Sequence, residues 1–153
     1  MFLIAAVFLW VMPVGCQTPG AARIGRNVPA TNQIMLKPGG PHAGTFVTRD
    51  MTINYEFRVA NGTLNVSGTM DLRFRDVDKL TMTLFYLDEN GTVFDYFSFF
   101  TRPRLAVMGR VMDNRFNREF ELPAEAAAFS IGYTGRTRAT SSRSREVFRY
   151  SPL

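Results

Sequence analysis

The 153-residue sequence predicts an all-β fold, an antiparallel sandwich of two sheets with seven or eight strands. Three observations support this prediction. Apolar and polar residues alternate with a period of two in several segments beyond Thr45, turn signals separate these segments, and no window has a convincing helical period. Hydrophobic residues make up 46% of the chain and aromatic residues 13%, which is enough to form one packed core.

The clearest strand covers residues 63–75, where five apolar side chains alternate with polar ones. Residues 51–59 alternate in the same way, and Asn61 and Gly62 stand between the two segments. Asn-Gly between two alternating segments is the signature of a two-residue hairpin turn. The sequence therefore predicts a hairpin over residues 51–75.

A second hairpin is predicted from residues 80–87 and 92–100, on either side of Asp88-Glu89-Asn90-Gly91. A three-residue loop, Glu89 to Gly91, is the preferred register, and a four-residue loop would exchange the faces of the second strand. The preferred register places these residues on one face: Leu80, Met82, Leu84, Tyr86, Phe94, Tyr96 and Phe100. The opposite face, which should be wet, then holds an apolar strip of four candidate partner-binding residues, Phe85, Leu87, Phe97 and Phe99.

We expect this strip to be covered by a partner, by a second copy of the chain or by the segment 34–36. The alternative is that the strand bulges and that Phe85 belongs to the core.

Three shorter strands are predicted at residues 116–122, 128–133 and 147–150, a less regular one at 105–112, and a helical turn at 123–127. The segment ELPAEAAAFSIGY resembles the corner of immunoglobulin-like and fibronectin-type domains, with Phe129 in the place of their corner tyrosine. Phe129 lacks the tyrosine hydroxyl, so the resemblance implies only an immunoglobulin-like sandwich architecture.

The first fifteen residues are almost wholly apolar and carry no charge, which is typical of an export signal. A helix of this length reaches only about 22 Å, less than the ~30 Å of a bilayer core. The stretch Pro13-Val14-Gly15-Cys16 resembles the lipobox of small bacterial lipoproteins without an assigned activity, although Pro13 stands where leucine is usual. This resemblance implies that Cys16 is acylated, and Gln17 then implies sorting to the outer membrane, facing the periplasm.

The alternative for this segment is a plain secretory signal with an incidental Cys16.

Residues 17–44 are rich in Gly, Pro, Ala, Thr and Asn and predict a flexible tether. The predicted organisation is therefore a signal peptide (1–15), a lipidated cysteine with its tether (16–44) and a β-sandwich domain (45–153).

The chain offers little for catalysis: one histidine, His42, in the predicted tether, one cysteine, and scattered carboxylates. Asp76, Asp78 and the segment 88–91 contain oxygen ligands but fit turns better than calcium loops. We therefore predict no catalytic residue, no metal and no cofactor. An enzyme that uses carboxylates such as Asp71, Asp95 and Glu119 remains an alternative.

Basic residues exceed acidic ones by 18 to 13, and five arginines lie in residues 135–149. Guanidinium groups bind phosphate bidentately, so Arg136, Arg138, Arg143 and Arg145 are candidates for contact with phosphates of lipid or polysaccharide. A mobile hairpin loop kept soluble by its charge is the preferred interpretation. Because aromatics are not interleaved with these arginines, nucleic acid is not an expected partner.

The predicted function is a lipid-anchored, non-catalytic interaction module of the cell envelope, with an envelope protein, lipid or glycan as partner. The alternative is an envelope domain that captures a lipid, glycan or peptide.

Overall fold

The computed structural model describes residues 23–74, 77–102, 114–138 and 145–153. These residues form nine β-strands and no α-helix: Ile34–Met35 (β1), Gly39–Val47 (β2), Met51–Ala60 (β3), Thr63–Leu72 (β4), Val77–Leu87 (β5), Val93–Arg102 (β6), Arg115–Glu121 (β7), Ala128–Arg138 (β8) and Arg145–Tyr150 (β9). A 3-10 turn covers Ala30–Asn32. The less regular strand predicted at 105–112 lies outside the described residues.

The strands form two antiparallel sheets that pack face to face. In sheet A the order is β6-β5-β8, and both β1 and β9 pair with the far edge of β8. Sheet B has the order β2-β3-β4-β7. The predicted two-sheet sandwich is confirmed, with nine strands in place of seven or eight. The resemblance to immunoglobulin-like domains is limited to the sandwich architecture. The three consecutive strands β2, β3 and β4 lie side by side in sheet B, and this differs from the strand order of immunoglobulin domains.

Alternation along the strands supplies the core between the sheets. Phe129 of β8 is fully buried there, and its ring meets the edges of Tyr55 and Phe57 of sheet B at centroid distances of 6.4 and 5.4 Å. Tyr86 connects the sheets a second time, since its hydroxyl donates a hydrogen bond of 2.9 Å to the carbonyl of Glu121. Burial, and then the charge of Asp95, raise the pKa of Tyr86.

The hairpin of β3 and β4 is confirmed. Ala60 pairs with Thr63, and Asn61 and Gly62 between them have φ angles of 52° and 71°. Two consecutive positive φ angles are those of a type I′ turn, whose twist matches that of the flanking strands.

The hairpin of β5 and β6 confirms the predicted loop but corrects the predicted faces. The Asp88 carboxylate accepts backbone hydrogen bonds of 2.8 Å from Asn90 and Thr92, and this closes the three-residue loop. Two irregularities then shift the register, so that Leu87 pairs with Val93 but Phe85 pairs with Tyr96. Each extra residue reverses the faces that follow it.

The first shift places Tyr96 on the outer face beside Phe85, with ring centroids 6.0 Å apart, whereas the prediction placed it on the opposite face. The second shift leaves Phe99 unpaired in the ladder. Phe99 is buried between the sheets, where it meets the edges of Phe116 and Phe120. Its prediction as an outer, partner-binding residue is therefore wrong.

Residues 23–33, which we name the strap, cross the outer face of sheet A. The strap begins against the edge of β6, where the amides of Gly25 and Val28 donate to the carbonyls of Val93 and Gly91 at 2.8 and 2.9 Å. It ends at β1. Close to that end, the Asn32 carbonyl accepts a 2.6 Å hydrogen bond from the Ser130 hydroxyl on β8. The strap is therefore bonded to both edges of the sheet that it crosses.

The strap and the strands after it correct the predicted tether. Residues 34–35 form β1, residues 39–47 form β2, and Ile34 packs in the main core. The domain therefore includes residues 23–44, and the predicted start at residue 45 is wrong. The Gly- and Pro-rich composition is tolerated in β2 because this strand lies at a sheet edge, where Pro41 removes no ladder bond from a central strand.

The strap also explains why Phe85 and Leu87 are apolar on an outer face. Both side chains are buried, at 1% and 0% exposure, in a second cluster with Val28, Val93 and Ala128. Two of the four predicted strip residues, Phe85 and Leu87, are covered, and the cover is the returning chain, at Val28 and not at residues 34–36. Phe85 and Leu87 are consequently not available to a partner. Phe97 is 42% exposed, but it pairs with the core residue Leu84 and its ring meets the edge of Tyr86 at 6.0 Å, so its prediction as an outer-face residue is wrong.

Candidate functional site

A concave site of about 480 Å³ lies at one end of the sandwich. It lies between the β2–β3 turn, the end of β4, and β9. We name it the end cleft, and its lining residues are Arg49, Asp50, Arg73, Phe74, Tyr133, Glu146, Val147, Phe148, Arg149 and Tyr150. Its volume falls in the range of small-molecule sites.

Aromatic rings form the inner part of the end cleft. Phe148 packs against Phe74 at a centroid distance of 4.7 Å and against Tyr133 at 6.1 Å, and Tyr133 stacks on Tyr150 at 5.8 Å. The Phe148 ring lies directly over Gly135, its partner on β8, and a Cβ at Gly135 would collide with the ring. Glycine is therefore required at position 135 for the aromatic surface to form.

Tyr133 holds the β2–β3 turn in place at the base of the end cleft. Its hydroxyl lies 2.6 Å from the Thr48 hydroxyl and donates to an Asp50 carboxylate oxygen at 3.3 Å. The Thr48 side chain in turn bonds to the backbone of Met51. Burial, and to a smaller extent the charge of Asp50, raise the pKa of Tyr133 to about 12.

We predict that Tyr133 titrates near pH 12 and that its ionisation destabilises the domain. The pKa of Tyr133 is higher in the folded chain than the ordinary value of 10. The contribution of the neutral Tyr133 to the free energy of unfolding is therefore complete below pH 10 and is lost as pH rises toward 12. Phenolate absorbance of the wild type and of Tyr133→Phe, recorded from pH 9 to 13, measures this. A difference spectrum with its midpoint near pH 10 would contradict the prediction.

Three arginines, Arg49, Arg73 and Arg149, line the outer part of the end cleft, and all three side chains are exposed. Within the described residues none of them forms a salt bridge. Asp50 and Glu146 also line the cleft, but Asp50 accepts the Tyr133 hydrogen bond. The cleft therefore presents unpaired guanidinium groups beside an aromatic surface.

The predicted basic segment forms the hairpin of β8 and β9, which borders the end cleft. Arg136 is exposed and pairs with Val147, and backbone register places Arg138 opposite Arg145. Arg143 lies outside the described residues. Register brings two further cations to the outer face of this hairpin, because Lys79 of β5 pairs with Arg136 and Arg149 pairs with Thr134.

The carboxylates of the enzyme alternative are not brought together. Glu119 lines a groove of about 340 Å³ on the outer face of sheet B with Glu56 and Arg58. Both glutamates are exposed. Asp71 lies on β4 outside that groove, and Asp95 lies on β6 in the other sheet, where its carboxylate accepts from the Tyr96 amide at 2.8 Å.

His42 lies in β2 and not in a tether, and its ring packs on Phe57 at a centroid distance of 5.1 Å.

The described residues contain no group of three or more His, Cys, Asp or Glu side chains that could hold a metal ion. In the same part of the chain, no helix has the length and hydropathy needed to span a bilayer.

The sequence places Arg149 in the basic segment 135–149, but Arg149 is not among the predicted contact residues, and Arg49 and Arg73 were missed as members of one site. Arg49 stands in a short Thr-Arg-Asp turn and Arg73 at the end of a strand, positions that are ordinarily solvated. The one feature that they share in the sequence is a position at the open end of the predicted hairpin of residues 51–75. Arg49 precedes the first strand, and Arg73 lies near the end of the second. Cys16, the predicted lipidation site, lies outside the described residues.

Comparisons of this chain with protein-family models, with curated proteins and with solved structures found no match.

Proposed function

We propose that this chain is exported, anchored by an acylated Cys16 in the cell envelope, and acts there as a non-catalytic binding module whose end cleft holds an anionic sugar. The anchor is supported by the lipobox-like Pro13-Val14-Gly15-Cys16 at the end of an apolar segment. The ligand class is supported by the composition of the end cleft. A sugar with a phosphate or carboxylate group is the shared chemistry of the envelope glycans and lipids expected as partners.

The observation that carries the proposal is the combination, in one cleft of about 480 Å³, of an aromatic surface with three arginines that form no salt bridge among the described residues. A guanidinium group binds phosphate or carboxylate through two parallel hydrogen bonds. The half-buried Phe74 and Tyr150 supply the apolar surface on which the carbon skeleton of a sugar packs. A ligand that carries both an anionic group and a sugar skeleton gains binding energy from the arginines and from the aromatic rings. An anion alone or a neutral sugar alone gains from only one of the two.

The titratable groups of the end cleft favour binding over turnover. Tyr133, with its pKa near 12, stays protonated at neutral pH. Asp50 accepts its hydrogen bond and is thereby oriented toward the protein. The lining residues include no histidine, cysteine or serine, and this leaves the carboxylates of Asp50 and Glu146 as the candidate general bases of the cleft.

Calorimetric titration of the mature full-length protein tests the proposal with three probes: glucose 6-phosphate, glucose and inorganic phosphate. We expect glucose 6-phosphate to bind more tightly than either fragment. Arg73→Gln should weaken its binding by about tenfold or more, since a hydrogen bond to a charged group contributes about 1.5 to 3 kcal/mol.

Arg58→Gln, which removes an exposed arginine from the sheet B groove, is the matched control and should bind like the wild type. Equal losses for Arg58→Gln and Arg73→Gln would refute the assignment to the end cleft. Absence of binding for all three probes would refute the ligand class, and hydrolysis of glucose 6-phosphate by the wild type alone would refute the non-catalytic role.

A further inference from the structure

The outer face of sheet A carries exposed cations beside the β8–β9 hairpin. Lys79, Arg136 and Arg149 all occupy outward-facing register positions, and all three are exposed. Among the described residues, none of these three side chains forms a salt bridge. We name Lys79, Arg136, Arg149 and Arg23 the basic face.

Arg23 extends this face toward the strap. Its guanidinium carbon lies 5.6 Å from the ring centroid of Phe85 and 6.0 Å from that of Tyr96, both on the outer face. A hollow of about 170 Å³ lies beside it, lined by the hydroxyl-bearing side chains Thr81, Thr83, Ser98 and Thr134. Ile24, the next residue, is 52% exposed.

The outer face of sheet B has a different charge. Its outward-facing strand positions hold four exposed carboxylates, Glu56, Asp71, Glu119 and Glu121, against two exposed arginines, Arg58 and Arg115. The described outward-facing positions of β5, β8 and β9 hold none in register with Lys79, Arg136 or Arg149. The two outer surfaces of the sandwich are therefore electrostatically unlike each other.

The chain enters the domain on the basic face. Cys16 precedes Arg23 by seven residues, and a chain of that length spans at most about 25 Å. A domain of this size is roughly 35 Å across. An acylated Cys16 would therefore hold the face that carries Arg23 near the lipid headgroups and would leave the far face less able to reach them.

From the cations and the entry point together we infer that the basic face lies against the anionic phosphate headgroups of the membrane that holds the acyl chains. This inference rests on the proposed anchor at Cys16. Arginine and lysine at an anionic surface each shift the equilibrium about fivefold toward contact, and the exposed Ile24 adds apolar contact at the interface. Sheet B, with its carboxylates, then faces away from the membrane.

The test uses the acylated full-length protein in vesicles of phosphatidylglycerol and phosphatidylcholine. Cysteine is introduced by Thr134→Cys on the basic face, or by Thr45→Cys on the outer face of sheet B, and labelled with a fluorophore. Both threonines are exposed. Quenching by a headgroup-attached dye should be at least about threefold stronger at position 134 than at 45, and 1 M salt or pure phosphatidylcholine should remove the difference.

Arg136→Glu should also reduce this ratio toward one, whereas the matched Arg58→Glu should leave it unchanged. Equal quenching at both positions, with the protein still pelleting with vesicles, would overturn the orientation and leave the anchor intact. An N-terminus without acyl chains by mass spectrometry would overturn the anchor and the orientation together. Protection of position 134 in whole cells without quenching in vesicles would assign the basic face to a protein partner and overturn the lipid assignment.

Discussion

Replacing Phe85 with alanine is expected to lower the free energy of unfolding by about 3 to 5 kcal/mol. The Phe85 side chain is 1% exposed and fills the cluster beneath the strap, where it contacts Tyr96 and lies under the Arg23 guanidinium. Its removal leaves a cavity bounded by strands and strap, both of which are held by backbone hydrogen bonds and collapse only in part. Denaturant unfolding of the domain measures the change.

Phe97→Ala is the matched control for this substitution. Phe97 lies on the neighbouring strand and is 42% exposed, so its loss should cost about 1 kcal/mol or less. If Phe85→Ala is as mild as Phe97→Ala, Phe85 is a surface residue and the strap does not cover it.

Replacing Val28 with aspartate is expected to lower the free energy of unfolding by about 3 kcal/mol or more. Val28 is fully buried, and its neighbours Phe85, Leu87, Val93 and Ala128 offer no partner for a carboxylate. The strap either keeps an unpaired charge in an apolar site or detaches and exposes the whole cluster, and both outcomes are unfavourable. Denaturant unfolding gives the magnitude, and hydrogen exchange at the amides of Gly25 and Val28 shows whether the strap detaches.

Ile24→Asp places the same charge four residues earlier in the strap, where the side chain is 52% exposed. It should change the free energy of unfolding by no more than about 0.5 kcal/mol. Similar effects of the two aspartates, or unchanged protection of Gly25 and Val28 in Val28→Asp, would show that residues 23–33 behave as a tether.

The fold class and most strands could be predicted from the sequence because one face of each strand is buried and the other is wet. Thr63–Leu72 alternates without interruption, and an Asn-Gly turn fixes its partner strand. These are local signals. An alternation with a period of two identifies the strand and also shows which face each side chain occupies.

The faces of β6 could not be predicted, because two shifts of register lie inside a continuous apolar segment. Val93–Arg102 contains five aromatic residues, so a one-residue slip exchanges one apolar set for another and changes little in the pattern. Only the pairing with Leu87 and Thr83 on β5, which is a tertiary contact, decides that Tyr96 faces outward and Phe99 inward.

The strap was misread because the bonds that hold it on sheet A are to distant residues. Gly25 and Val28 bond to the start of β6, and Asn32 to Ser130, about 65 to 100 residues away. The same limit applies to the end cleft, where Arg49, Arg73 and Arg149 come from three separate segments. The basic hairpin was visible in the sequence as a cluster of arginines, whereas the cleft beside it required the packing of two sheets.

Photocrosslinking in native cells tests the central claim, that the end cleft holds an anionic sugar, most directly. A benzophenone residue is placed at Glu146, an exposed position in the end cleft, or at Glu119, an exposed position in the groove of sheet B, and the attached molecules are identified by mass spectrometry. We expect a phosphate- or carboxylate-bearing glycan attached at position 146 and not at 119. Equal attachment at both positions, or a neutral or purely proteinaceous adduct at 146, would contradict it.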